Sequence, residues 1–320
     1  EEQCIHSDVD LLFLFKKKVP AQAEKLIQEI VYPLWDIGLD VGYATRSLKE
    51  CLALASTDFE VFTPILDARF ICGWSHLYSE LMDQLRQKLI RKNSRTIINW
   101  LVEKNKVRHA QFGDSAYLLE PNHKEGQGGL RDYHTMLWIS QIEFNIKQPR
   151  DLEYLGLLSQ EEFQSLTRSL RFIWYARNHL HYLCGRKCDQ LNFENQLKLA
   201  EVLKYKKINH QQPVERFLGE LHGRMEYLKQ QHLMFLHELG FEKKRKRRRK
   251  SNKTSEMEGL EVIRWGMLNF TSPEKIVESP VLLMKIFEES ARLKIPLSAE
   301  AKRLVREFSY LADNKFRNSE

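Results

Sequence analysis

The hydrophobic pattern changes period three times within the first fifty residues. Residues 11–15, Leu-Leu-Phe-Leu-Phe, make an unbroken apolar run that Lys16-Lys17-Lys18 and Pro20 soon close, which predicts a short buried strand. Ala23, Leu26, Ile27, Ile30, Val31, Leu34 and Trp35 then recur at helical spacing, with Pro33 and Gly38 shortening the helix. Gly38-Leu39-Asp40-Val41-Gly42-Tyr43 reads as a second short strand. From Ser47 onward the helical period dominates, with amphipathic stretches near 58–72, 75–105, 130–146, 160–183, 194–204 and 213–238. Ser47 with Glu50 and Thr57 with Glu60 have capping-box spacing, and Pro213 suits a first helical turn. Thr271-Ser272-Pro273-Glu274 starts a further helix and Ser298 caps a last one. The expected class is α+β and mostly helical, a small α/β unit feeding a large helical region.

The chemistry concentrates where the first strand begins. His6-Ser7-Asp8-Val9-Asp10 places two carboxylates at i and i+2, on one face of a strand and about 7 Å apart at their Cα atoms. Two like charges so close repel each other, and a cation would resolve the conflict. Asp40 supplies a third acid flanked by apolar residues on the next strand. Oxygen-rich sites of this kind suit Mg2+, with two ions the natural number for activating a hydroxyl and neutralising a leaving pyrophosphate. The bland alternative makes Asp8 a cap or turn residue and leaves Asp10 on a sheet edge.

A second island runs Glu120-Pro121-Asn122-His123-Lys124-Glu125-Gly126-Gln127-Gly128-Gly129-Leu130-Arg131-Asp132. It is neither a dinucleotide fingerprint nor a Walker loop, because the glycines are G-x-G-G and Lys124 precedes them. Gly128 and Gly129 could let a backbone approach a ligand, with Lys124 and Arg131 adding charge for a triphosphate. A tight turn with Arg131 and Asp132 in internal pairs is an equal alternative. His179 and His181 diverge on a helix and read as structural, and Trp35, Trp74, Trp138 and Trp174 read as core. The five cysteines are scattered without a second close pair, which fits reduced structural thiols in a cytoplasmic protein.

The net charge of +7 changes the picture little once it is located. Eight of the 50 basic residues fall at 243–250, which leaves 42 against 43 acidic ones. A solvated linker is the preferred reading of that block, with electrostatic attachment to RNA or anionic lipid the lesser one. No apolar run approaches the roughly 20 residues of a membrane helix.

Ser7-Asp8-Val9-Asp10-Leu11-Leu12 resembles the bacterial [protein-PII] uridylyltransferase/uridylyl-removing family, as does the stretch from Tyr32 to Gly42 with Thr45-Arg46-Ser47-Leu48. Residues 119–132 are similar to that family's Glu-Pro-Asn … Gly-Gly-Leu-Arg-Asp element, and residues 180–191 to its later helical segment. The likeness runs from the first residues to roughly 240. It implies a polymerase-β-type nucleotidyltransferase domain over residues 1–110 and a helical domain over 111–240. A basic linker at 241–256 and the helical start of an HD-type region at 257–320 complete the expected plan. The implied reaction moves UMP from UTP to a tyrosine hydroxyl of the signalling protein PII, with Asp8, Asp10 and Asp40 as catalytic and metal-holding acids. Ser7, Arg46, Lys124, Gly128, Gly129 and Arg131 are the candidate nucleotide contacts. Only seven residues precede Asp8 and none is Gly, where the family carries a Gly-Ser turn, and no His-Asp dipeptide occurs. The expectation is therefore a piece truncated at both ends that lacks uridylyl-removing activity and is itself inactive if the turn is indispensable. A non-catalytic module binding a nucleotide or partner is the competing expectation.

Overall fold

The computed structural model describes residues 3–113, 115, 117–241, 258–263, 267–295, 297–313 and 316. The chain folds as two compact units, residues 1–235 and 236–320. The basic block at 243–250 lies outside the described residues.

The first unit opens with β1 (Val9–Phe15), α1 (Ala23–Asp36) and β2 (Val41–Ser47), the two strands parallel with Val9 opposite Val41 and Asp10 opposite Gly42. Alternation turns Phe13 and Phe15 toward α1, where they pack with Val19 on the buried Ala23, Ile27 and Val31. Burying an Ile or Val in this way is worth about 1.5–3 kcal/mol. β1 is nevertheless only half-buried, not the interior strand its composition predicts, because its sheet has just two strands. Trp35 and Trp74 likewise depart from the expected core, at 43% and 56% exposed. Trp35 lays its ring beside Tyr32 and Tyr43 and donates Nε1 to the Val41 carbonyl at 2.9 Å. Trp74 instead carries the Lys16 ammonium over its face. Trp138 and Trp174 do join the interior.

Helices follow as the period predicts. Ser47 closes a complete capping box with Glu50 at the head of α2 (Leu48–Thr57). The expected box at Thr57 is absent: Asp58 caps α3 (Phe59–Leu66), accepting from the Glu60 N–H at 2.8 Å, and Thr57 ends the preceding helix. α4 (Ser75–Gln84) passes through a π-helical stretch, Leu85–Ile90, into α5 (Arg91–Phe112), so one apolar stripe makes one continuous helical rod. The 110/111 border expected between domains falls in the last turn of α5. α6 (Leu130–Phe144), the single turn α7 (Asp151–Tyr154), α8 (Gln160–Cys184), α9 (Phe193–Val202) and α10 (Pro213–Glu238) complete the set. Leu130, Leu166, Ile173, Leu180, Leu199, Phe217 and Leu221 form their common core.

The second unit, expected to begin with helix, opens on two short strands. Strands β3 (Leu260–Ile263) and β4 (Met267–Phe270) pair antiparallel before α11 (Pro273–Glu278), α12 (Leu282–Leu293) and α13 (Ala299–Glu307). Leu268, Phe270, Ile276, Ile286 and Ala301 fill its core, and Ser298 caps α13 as predicted. The class as a whole is α+β and mostly helical, as the period implies.

Candidate functional site

Asp8 and Asp40 stand one residue ahead of β1 and β2, and the Val9 N–H donates to the Asp40 carbonyl at 2.8 Å. Extending the register by one residue sets Asp8 opposite Asp40, with Asp10 and Gly42 the next pair on the same face. Gly42 is part of this geometry, since a Cβ there would lie 2.9 Å from Asp10 Oδ1. The missing side chain gives the Asp10 carboxylate its place over β2. Arg46 shares the face but sits six residues along from Asp40, about 20 Å away at strand rise. The strand pair thus gathers the three acids at one end and leaves Arg46 at the other. Ser7 closes the preceding turn, its Oγ accepting from the Cys4 N–H at 3.0 Å.

Two loops from the helical part meet this acid-bearing end. One runs from Pro121 to the start of α6 and the other links α8 to α9. They are sewn together by backbone bonds from His123 N to Asp189 O (2.8 Å) and Leu191 N to Pro121 O (2.9 Å), and by an Asn122–Gln190 bridge. Beneath them Asp189 accepts from Arg177 Nε at 2.6 Å and meets His181 Nε2 at 2.9 Å. Burial alone would raise the Asp189 carboxyl, but the bonds from His181 and Arg177 hold it far below the carboxylate range. His123 is fully buried, and burial pushes its ring down to about 4. The N-terminal segment docks on this base: the Ile5 N–H donates to Asn178 Oδ1 at 3.2 Å, and the His6 and His181 rings lie 6.3 Å apart.

The result brings two lysines to the acids. Lys187 Nζ reaches Asp8 Oδ1 at 3.0 Å, both side chains nearly half-exposed. Lys124 is half-buried and acts electrostatically on Asp8, Asp189 and Lys187. Burial, then the charge of Arg131, lowers the Lys124 ammonium. Burial would raise Asp8, but the Lys187 bond, a backbone N–H bond and the charges of Lys124 and Lys187 together keep the carboxyl below its ordinary range. Sequence reasoning singled out Lys124 but not Lys187. The clue was available in Arg186-Lys187-Cys188-Asp189, a charged cluster directly after a helix end.

The glycine island behaves differently. Gly128 sits at φ +77° with its Cβ position 2.1 Å from the Met225 carbonyl, and a Cβ on Gly129 would press three backbone oxygens. Both are buried, and the Gly128 N–H donates to Asp132 Oδ2 at 2.7 Å. Asp132 is wholly buried and also holds Arg108 and, at 2.8 Å, His109 from α5. Arg131 pairs with Glu125 at 3.2 Å and lies over the Trp138 ring. The island forms a tight turn with Arg131 and Asp132 in internal ion pairs. Of its residues, Lys124 acts electrostatically on Asp8 at the acidic strand end.

Magnesium suits the donors in kind, since three carboxylates share one face and one strand end. Their placement is open, however. Asp8 is turned to Lys187, and among the described residues no three acidic, His or Cys side chains converge closely enough to hold a metal ion.

A mostly helical α+β protein whose helical part closes cationic loops over the acidic end of a β-α-β unit is thereby defined. Residues 97–236, from α5 to α10, match the family model described as GlnD PII-uridylyltransferase. Over 326 residues the chain is 33% identical to the bifunctional uridylyltransferase/uridylyl-removing enzyme of Ruegeria pomeroyi, covering 99% of this chain and 35% of the relative. The enzyme of the same name from Novosphingobium aromaticivorans is 30% identical over 329 residues, 100% of this chain and 35% of that relative. That of Rhodospirillum rubrum is 38% identical over 217 residues, 68% of this chain and 23% of that relative. The chain belongs to the PII-uridylyltransferase family, and it spans about a third of the length of the curated relatives it matches. No solved structure matches it. Among the described residues no helix is long and apolar enough to cross a membrane.

Proposed function

We propose that this chain carries the transferase part of a cytoplasmic PII uridylyltransferase, moving UMP from UTP to a tyrosine hydroxyl of PII. The observation that carries the reading is the meeting of three separated sequence islands, residues 7–12, 119–132 and 180–191, at the acid-bearing strand end. In the transfer the tyrosine oxygen bonds to the α-phosphorus, and the bond from that phosphorus to the β-phosphate oxygen breaks. Pyrophosphate leaves with the bonding pair. The phenolic proton passes to Asp40, which stands at the mouth of β2. Asp8, Asp10 and Asp40 would hold Mg2+, which when bound supplies positive charge to activate the hydroxyl and to neutralise the departing pyrophosphate. Ser7 and Lys124, which adjoin Asp8, would contact the triphosphate, whereas Arg46, Gly128, Gly129 and Arg131 are engaged in the scaffold or remote from the acids.

The non-catalytic alternative draws support from one observation, that the three carboxylates do not converge. One experiment separates the two. Purified longer protein containing this sequence is incubated with PII, radiolabelled UTP and Mg2+, alongside an Asp8→Asn, Asp10→Asn double variant. Labelling of PII lost in the double variant supports the transferase reading. Wild-type protein that binds UTP without labelling PII supports the binding module instead.

A further inference from the structure

We propose that Lys187 is a phosphate-binding residue of this site, acting with Lys124, and that its bond to Asp8 is a resting contact which the polyphosphate of the nucleotide displaces. The inference rests on the transferase reading above and adds a residue to it. Three features separate Lys187 from the other cations nearby. Arg177 is buried and committed to Asp189, and Arg108 is likewise committed to Asp132. Lys187 is nearly half-exposed and has one carboxylate partner, itself nearly half-exposed, so the contact exchanges readily with solvent and ligands. A lysine ammonium is a compact charge on a flexible stem with three donors, which suits transfer from a carboxylate to a phosphate oxygen.

The backbone carrying it is by contrast firmly held. The Asp189 bonds to Arg177 and His181 lie two residues along, and Asp189 O and Leu191 N tie the loop to the segment bearing Lys124. The loops thus present both lysines toward the end of β1 where the reading puts the triphosphate, Lys187 on Asp8 Oδ1 at 3.0 Å and Lys124 next to His123, whose N–H donates to the Asp189 carbonyl. Lys187 keeps an exposed ammonium with three donors on an exchangeable contact, and Lys124 lies on the loop segment bonded to that of Lys187. A polyphosphate anion is the ligand class whose several oxygens can take both lysines at once.

The test is calorimetric titration of inorganic tripolyphosphate, UTP and uridine into the 320-residue chain without Mg2+, using wild type, Lys187→Ala, Lys187→Arg and Asp8→Ala. Lys187→Ala is expected to weaken tripolyphosphate and UTP by about tenfold. Lys187→Arg should recover most of that loss and Asp8→Ala should tighten binding by freeing the ammonium, while any uridine binding stays indifferent to residue 187. Thermal melts run in parallel. If Lys187→Ala and Asp8→Ala lower Tm equally while tripolyphosphate affinity is unchanged, the pair is a structural tether and the proposal is overturned. Wild-type chain that binds no tripolyphosphate up to millimolar concentration overturns it as well. Wild-type protein that never labels PII, with the Lys187 dependence of tripolyphosphate binding intact, refutes the transferase reading and leaves the phosphate site standing, whereas labelling that survives the Asp8, Asp10 double variant refutes the metal assignment alone.

Discussion

Two charged islands in the first unit look alike in sequence and behave as opposites in space. Around Asp132, Arg108, His109 and the Gly128 N–H converge on a carboxylate with no exposure at all, while Glu125 accepts Arg131 alongside. Around Asp8, a nearly half-exposed carboxylate meets a nearly half-exposed lysine, with a second lysine close by. A buried charge is tolerated only when every partner is in place, whereas exposed charges exchange partners cheaply. Closure fits the first island to a scaffold, and availability fits the second to the proposed site.

The sharpest way to break the comparison is to remove one carboxylate from each island. Asp132→Ala removes the wholly buried carboxylate shared by Arg108, His109 and the Gly128 N–H and is expected to cost about 3–5 kcal/mol, where Asp8→Ala costs about 0–1 kcal/mol. Urea unfolding of both variants decides it, and equal losses would erase the distinction. A somewhat smaller effect concerns pH. His123 titrates near 4 in the folded chain against an ordinary 6.5, so the unfolded chain binds the extra proton between those values. The stability this confers is complete above about pH 6.5 and drains away as pH falls toward 4, on the order of 3 kcal/mol in all. Buried His232, also lowered by burial, adds in the same direction. Denaturant midpoints at pH 7.5, 6 and 5 should fall in step, and His123→Leu should flatten the slope. The smallest effect on stability sharpens the functional side. Gly42→Ala meets only the movable end of Asp10 and should shift unfolding by less than about 1 kcal/mol. If Asp10 works where the register puts it, the same variant should lose at least about tenfold in PII labelling. Labelling at the wild-type rate would show that the carboxylate position does not matter.

Helix existence was legible because a buried stripe must repeat at 3.6 residues, and α6, α8, α9 and α10 start and stop within a few residues of their apolar patterns. Caps whose chemistry is local, Ser47 and Ser298, were legible for the same reason. The hairpin of β3 and β4 was not, since two four-residue strands carry too little period to stand out among helical stretches. Trp35 and Trp74 misled because a hydrophobic stripe says which face is apolar but not whether anything covers it.

Local order therefore came from the chain's own periodicity, and so did the placing of Asp8 and Asp10 on one face, for which a strand needs only alternation. What the alternation left open was which charges would be sealed and which would stay available. Partners 23 and 24 residues away sealed Asp132, and a lysine 179 residues away, on a loop held by its own buried ion pair, reached Asp8. Burial and long-range pairing are properties of packed surfaces, and only the tertiary fold brings those surfaces together.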